Sequence, residues 1–435
     1  MLLILTLACA VDDGTRDLQY CEDVPDERAV DPVTAPLSWA GDIEPIVQAR
    51  CARCHSADDG LSALPLETYE DVSAHAFAVR DALVKGRMPP WSADACCGKE
   101  FRLDRSLSQD ELDTLVGWLD QGAPLGDLDA EPVEIPASDW GSLSRVDLRV
   151  EMPRPYLASP RYGNDEVRCF LVDLPEEATG RYLVGSRVLP GNRDIVHHVV
   201  TGLVKPEQLE DIHALEALDP AMGWDCYGSG GDVRTTGGLG GYVPGQDGME
   251  FPEGVGTWIP EGAKLVLNMH YDLSANGGEP AEDQTAIEVM LEDSVARELV
   301  GIPILHPLWL FDEGMSIPGA FVETSYGVTW KPSSLYGWRR RWEVLGAFVH
   351  MHEVGTTVSM ARVLPDDTQE CLLHIERWDF DWQADYWYAE GSTTLLEPED
   401  QLYLECNWRN PGQDMAWETD QEMCVGMIYV AEVVE

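Results

Sequence analysis

Val146-Asp147-Leu148-Arg149-Val150-Glu151-Met152 alternates apolar and charged side chains without a break. Successive residues of a strand point to opposite faces, so Val146, Leu148, Val150 and Met152 share one face and the charges share the other. The stretch reads as a half-buried strand. Similar strands are predicted at 167–173, 181–188, 195–203, 264–272, 285–291, 343–350, 356–363, 371–376, 401–407 and 424–433, with Gly- and Pro-rich turns between them. Many short strands without intervening helices imply antiparallel sandwiches, not a parallel α/β sheet. About 290 residues is large for one sandwich, so two are expected, 145–293 and 294–435. The acidic stretch at 276–284 and the break near 292–300 mark candidate boundaries. The glycines at 229–241 contain no GxGxxG between a strand and a helix, which excludes a dinucleotide reading.

Upstream of this region the period changes. Ile43, Ile46 and Val47 lie at helical spacing between Asp42 and Arg50. Ser108 and Glu111 form a capping box, and Leu107 and Leu112 a hydrophobic staple. Leu112, Leu115, Val116 and Leu119 follow at i, i+3, i+4 and i+7, until Gly122 and Pro124 stop the helix. Residues 37–124 therefore read as a small all-α domain. Residues 125–144, rich in Pro, Asp and Ala, read as a linker.

The 435 residues carry 78 Asp+Glu against 29 Lys+Arg, a net charge of −49. Such a chain repels phosphate backbones, which excludes nucleic-acid binding, and it has no basic patch for anionic lipid. With 44% hydrophobic residues it can bury real cores. The charge fits a saline environment, or steering of a basic partner.

Eleven cysteines indicate either metal sites or an oxidising compartment. The N-terminus favours export. Met1-Leu2-Leu3-Ile4-Leu5-Thr6-Leu7-Ala8-Cys9 resembles the tail of a bacterial lipoprotein signal with Cys9 as the lipidated residue, although it lacks a basic start and is short. Residues 1–36 are thus an export-signal remnant and linker, and the protein is expected in the periplasm or at the cell surface, anchored to a membrane only through Cys9. No later run is apolar and long enough to span a bilayer.

Cys51-Ala52-Arg53-Cys54-His55 is a C-x-x-C-H motif. Its two thiols can add across haem vinyls, and its histidine supplies an axial nitrogen. Met88, in Gly86-Arg87-Met88-Pro89-Pro90-Trp91, offers a sixth ligand, with His75 as the competitor. A zinc half-site would need a second well-spaced pair, which the adjacent Cys96 and Cys97 do not provide. The order of helix, C-x-x-C-H, M-P-P-W and capped helix resembles class I c-type cytochromes over residues 37–124. The expected fold class is thus a small all-α cytochrome c domain followed by two antiparallel β-sandwich (jelly-roll-like) domains.

The strand region holds eight histidines, five of them in distinctive places. His350 and His352 share a strand face and can bind one ion. His270 ends a strand. His197 and His198 are adjacent and face opposite ways unless the strand ends, twists or bulges. Imidazole clusters of this kind suit copper, zinc, iron or nickel.

His197-His198, Met269-His270-Tyr271, His350-Met351-His352 and Glu422-Met423-Cys424 occur in the order of the type II copper monooxygenases, the peptidylglycine hydroxylating and dopamine β-monooxygenase type. The resemblance spans roughly 146–435. It implies two copper ions, an electron-transfer copper on His197, His198 and His270 and an oxygen-binding copper on His350, His352 and Met423. It implies disulfides Cys406–Cys424 and Cys169–Cys226. Cys21 is assigned to Cys96 or Cys97, and Cys371 is left without a partner. The implied reaction hydroxylates a C–H bond with dioxygen, the second oxygen atom leaving as water.

Two positions depart from that family. Peptide-amidating members carry an arginine where this chain has Phe348, and a tyrosine where it has Met427. Amidation of peptide C-termini is therefore not expected. Phe348, Met351 and Met427 suggest a more apolar small-molecule substrate. A covalently bound haem c on a linker of ~20 residues would deliver electrons at high effective concentration, drawing on an external donor that is a small reductant or a redox protein. The alternatives are a non-catalytic haem/copper electron-transfer or copper-binding protein on the same fold, and an extracellular binding module whose histidines are structural.

Overall fold

The computed structural model describes residues 11–21, 25–56, 62, 64–136, 141–160, 163–226, 235, 237–244, 248–307, 309, 315–335, 337–416 and 421–434. The leader and its Cys9 lie outside them. The chain divides into two compact units. One comprises Asp23–Ser92 and Arg102–Asp139, and the other Met1–Glu22, Ala93–Phe101 and Trp140–Glu435.

The smaller unit contains helices Glu44–Arg50, Tyr69–Ala74, Ala76–Val84 and Gln109–Asp120, preceded by a π-turn at Trp39–Ile43. The capping box forms as the sequence dictates. The Glu111 amide donates to Ser108 Oγ at 3.2 Å, and the Ser108 amide donates to Glu111 Oε2 at 2.9 Å. The apolar stripe of this helix, Leu112, Leu115, Val116 and Leu119, packs on Ile43, Ile46 and Val47. Gly122 ends the run at φ +86°, a left-handed conformation that favours glycine.

Three large sheets make up the larger unit. A five-stranded sheet runs Trp224–Asp225, Asp165–Val172, Lys264–Asp272, Val196–Val204, Gly241–Tyr242. A second five-stranded sheet runs Val11–Asp13, Val322–Trp330, Gln401–Asn410, Gly355–Val363, Gln369–Ile375. The ten-stranded sheet follows the path Leu148–Glu151, Ala286–Glu292, Arg181–Leu189, Val255–Ile259, Arg297–Ile304, Val425–Glu432, Trp342–His350, Tyr386–Trp387, with two short flanking strands.

The layers are sandwich-like. Leu265, Leu267, Met269 and Tyr271 of the first sheet are buried in one cluster with Val150, Leu183, Ile287 and Val289 of the ten-stranded sheet. Val266 lies on the other face, with Cys169, Val204 and Trp224. Period two thus places His270, which shares parity with Val266, on the face away from the main core.

The expected fold class requires correction. The chain is mostly β, 35% strand against 17% helix, in several sheets, and no N-terminal all-α cytochrome domain is evident. Its helices are few and short, the longest of those above having 12 residues. The N-terminal region is also not self-contained, because its chain twice joins the sheets. Val11–Asp13 pairs with Val322–Trp330. Residues 93–101 are fixed by the Asp94 amide on the His374 carbonyl, a bridge from Phe101 to Tyr388, and the Cys97–Cys371 disulfide. Nor are the sheets two separate antiparallel sandwiches. Val255–Ile259 pairs in parallel with Arg297–Ile304, so strands from both sides of residue 293 join one sheet.

Among the described residues four disulfides form, Cys21–Cys96, Cys97–Cys371, Cys169–Cys226 and Cys406–Cys424. They point to an oxidising environment outside the cytoplasm. No helix among the described residues is long and apolar enough to cross a membrane. Cys169 and Cys226 are buried at 0% and 2% exposure and sit among Val204, Ile212 and Trp224. Replacing both by Ala should lower unfolding free energy by about 2–4 kcal/mol, read as a lower denaturant midpoint. An unchanged midpoint would show that this cross-link carries no stability.

Candidate functional site

His197 and His198 reach the same side of the sheet because their strand bulges. His270 pairs with His198, whereas its neighbour Tyr271 pairs with Val196. His197 is the extra residue, and the bulge turns it toward the other two. The three Nδ1 atoms form a near-equilateral triangle, with 3.3 Å from His197 to His270, 3.3 Å from His270 to His198 and 3.4 Å from His198 to His197. Three nitrogens bonded to one ion at about 2.0 Å in tetrahedral geometry lie about 3.3 Å apart.

Outer partners fix the tautomers. His270 Nε2 lies 2.8 Å from Asp165 Oδ1, and His197 Nε2 lies 3.3 Å from Asp381 Oδ1. A carboxylate only accepts, so Nε2 carries the proton in both rings and Nδ1 presents a lone pair. These hydrogen bonds hold the Asp165 and Asp381 carboxyls below their usual range. Burial, then the neighbouring His270 and His197, pushes His198 well below the ordinary histidine value.

The second cluster lies at the end of Trp342–His350. His350 Nε2 and His352 Nε2 are 3.1 Å apart. His350 Nδ1 donates to Gln383 Oε1 at 2.6 Å, and His352 Nδ1 donates to the Gln421 carbonyl at 3.2 Å. Both Nε2 atoms therefore present lone pairs to each other. Burial and the neighbouring His352 push His350 down to about 4.

Met423 follows directly in the chain. Glu422, fully buried, accepts from the amides of His352, Val354 and Met423 and from Trp408 Nε1. Its carboxylate ties the backbone of Met423 to the backbone of His352. Cys424 then anchors the segment to Cys406 on Gln401–Asn410.

Phe348 and Met427 are Cα partners on adjacent strands and half-buried. The Phe348 ring lies nearly parallel to that of His350, 6.5 Å away. Tyr429 shares the face of Met427 and stacks at 4.6 Å on Trp387, which in turn meets Phe251 at 5.3 Å. An apolar row therefore leads away from His350. Met351 takes no part in it, being completely buried. Tyr429 donates to Asp385, whose carboxyl burial holds above the usual range.

In the smaller unit, Cys51 and Cys54 are thiols outside the disulfides. The amides of Cys54 and His55 both donate to the Cys51 carbonyl, which folds the motif into one turn. His55 Nδ1 donates to the Leu64 carbonyl at 2.6 Å, which leaves the lone pair of the neutral ring on Nε2. These residues fit covalent attachment and axial ligation of a haem. The Met88 amide donates to the Ala82 carbonyl, and Met88 is partly buried. His75 is exposed, with Nδ1 on the Asp71 carbonyl.

Asp165, Asp381, Gln383 and Phe380 escaped the sequence reading. No local motif marks them, because each meets its histidine only through tertiary folding. Cys21, Cys96 and His374 also converge, but the first two are joined in a disulfide.

No protein-family model matches the chain, and no curated protein matches it. Among solved structures it is similar to the major capsid protein P2 from Bacteriophage PM2, with 10% identity over 66% of this chain and 98% of that one, at a TM-score of 0.23. It is similar to the infectious bursal disease virus VP2 subviral particle, with 12% identity over 68% of this chain and 74% of that one, at 0.16. A Bacillus subtilis oxalate decarboxylase shares 10% identity over 67% of this chain and 88% of that one, at 0.12. Likenesses this low carry no functional argument.

Asp385 gives a pH prediction. The unfolded chain ionises it near the ordinary value of about 3.9, below its folded value. Its contribution to stability is therefore full below that value and lost as pH rises through the folded one. Asp385→Asn, which still accepts from Tyr429, should remove that fall. A wild-type pH–stability curve superimposable on that of the variant would show that Asp385 does not contribute.

Proposed function

We propose that the protein is a copper-dependent monooxygenase that hydroxylates a C–H bond of an apolar small molecule, fed through a covalently bound haem. The observation that carries this reading is the opposition of acceptor lone pairs in two separate clusters. In the neutral rings, the outer acceptors leave a lone pair on His350 Nε2 and His352 Nε2 and on His197 Nδ1 and His270 Nδ1, so neither pair can hydrogen-bond internally. Lone pairs held this close repel unless a cation lies between them.

His197, His198 and His270 would hold one copper, and His350, His352 and Met423 the other. A thioether is soft and favours the cuprous state. Two bound copper ions would supply two electrons to dioxygen, so that one oxygen atom enters the substrate and the other leaves as water, while a haem on Cys51, Cys54 and His55 relays replacement electrons from an external donor. Asp165 and Asp381 keep the ring protons of His270 and His197 off the ligating atoms. Glu422 holds the backbones of Met423 and His352 in a fixed relation. Phe348 and Met427 offer the substrate an apolar flank next to His350 and no cation for a carboxylate, which supports a neutral substrate over a peptide C-terminus. The reaction belongs in the periplasm or at the cell surface, with Cys9 as the lipid anchor.

Copper reconstitution followed by metal analysis tests the reading. Two coppers per chain and one iron are expected, with one copper lost in His270→Ala and the other in His352→Ala. No copper bound to either cluster would overturn the proposal. Two coppers with no substrate-dependent oxygen uptake would leave an electron-transfer or copper-binding protein. Met423→Ala should abolish hydroxylation of a neutral apolar probe while the copper on His197, His198 and His270 remains. Phe348→Arg should weaken binding of the same probe at least tenfold, read as a raised KM; an unchanged KM would remove Phe348 from the substrate flank.

A further inference from the structure

One short segment touches both histidine clusters. The Trp378 indole donates from Nε1 to the His352 carbonyl at 2.9 Å. Asp381 meets His197 Nε2 at 3.3 Å, and Gln383 accepts from His350 Nδ1 at 2.6 Å. Between them the Phe380 ring lies 6.4 Å from the His197 ring and 5.7 Å from the His352 ring. Four of the six residues from Trp378 to Gln383 thus contact His197, His350 or His352, and the Phe380 ring approaches a histidine of each cluster.

The segment is also tied within itself. Phe380–Trp382 is a 3-10 turn capped by Asp379, whose carboxylate accepts from the Asp381 amide at 3.0 Å. Gln383 Nε2 donates back to the Phe380 carbonyl at 2.9 Å, and the Trp378 amide donates to the Thr356 carbonyl at 2.8 Å. These bonds hold Asp379–Gln383 as one unit and fix its start to Thr356.

We propose that Trp378–Gln383 is a shared strap that couples metal binding at the two clusters, with Asp381 and Gln383 as positioning residues and Phe380 as the contact between them. The proposal rests on the two-copper reading. A cation on His197 Nδ1 withdraws charge from the ring and makes its Nε2–H a stronger donor to Asp381. The Asp381 side chain is 68% exposed, so this hydrogen bond decides whether it stays on the ring. Fixing Asp381 fixes the turn, and the turn presents the Gln383 amide that orients His350. Loading the three-histidine site therefore prepares the other site, and by linkage the reverse holds.

The test is a copper(II) titration of the full chain against a competing chelator, with electron paramagnetic resonance identifying which site fills. In wild type, His270→Ala should weaken copper binding at His350 and His352 by about 5- to 150-fold, although His270 lies in the other cluster. In an Asp381→Asn background, and separately in Phe380→Leu, the same His270→Ala change should weaken it less than twofold. Asp381→Asn alone should alter the copper spectrum of the three-histidine site and Gln383→Leu that of the other, with Asp381→Glu restoring the first. His270→Ala without effect on the second site, or an equal effect in all backgrounds, overturns the strap. Wild type binding no copper overturns both proposals. Linked copper binding without hydroxylation supports the strap and overturns only the enzymatic reading.

Discussion

Two imidazole nitrogens whose neutral rings each point their only N–H, on the other nitrogen, at an outside acceptor carry lone pairs and cannot hydrogen-bond to one another. The structure places such nitrogens face to face twice, at His350 and His352 and at His197 and His270. The outer partners impose this. Gln383 and the Gln421 carbonyl take the protons of one pair, and Asp381 and Asp165 those of the other. A core built only for stability would have turned one ring to donate to its neighbour, since an unpaired buried acceptor costs roughly 1–3 kcal/mol. The arrangement instead keeps lone pairs free and close, which is the requirement for binding a cation.

The surrounding fold makes that requirement affordable. The bulge at His197 lies at the end of a strand whose partner, Lys264–Asp272, is bonded on both sides, so the bulge cannot relax into a regular ladder without moving two other strands. At the other cluster, Glu422 collects four donors in a fully buried position, and Cys424, two residues on, is fastened to a central strand by its disulfide to Cys406. Met423 sits between these two fixed points. Its backbone is held from both sides, which limits the conformations its thioether can explore.

Local features were legible in the sequence where the controlling interaction is local. The capping box of Ser108 and Glu111, the stripe from Leu112 to Leu119 and the alternation of Leu148 to Met152 each depend on residues within a turn or two, whereas Val146 is exposed and lies outside the strand Leu148–Glu151. The histidines were legible as chemistry. The pairing of Cys97 with Cys371 was not, because it joins residues 274 apart and needs residues 93–101 to leave the helical region. The fold class failed for a related reason. The short helical periods at 42–50 and 107–119 read as one continuous domain, whereas chain connectivity returns to the sheets between them. The bulge could be named only as a condition, since register is a property of two strands. Asp165, Asp381 and Gln383 have no signature at all, because any acid or amide on any loop can become an outer partner once folding brings it there.

The placement of those partners also bears on the charge of −49. A saline environment accounts for many solvated acids, but it does not dictate where any one of them lies. Asp165 and Asp381 are mostly exposed and yet aim at imidazole protons, and both are held ionised by that contact. Two fixed negative charges beside the three-histidine cluster offset much of the charge of an arriving cation and lower the cost of holding it in a partly buried site. They also give that edge a negative potential that favours approach of a basic donor over an acidic one, by an amount that salt would screen. The surplus of acid therefore has two parts with different physics. Most of it is a solvated surface, indifferent to position, and a small part of it lies against the three-histidine cluster, where moving a single carboxylate by a few ångströms would change the tautomer of an imidazole.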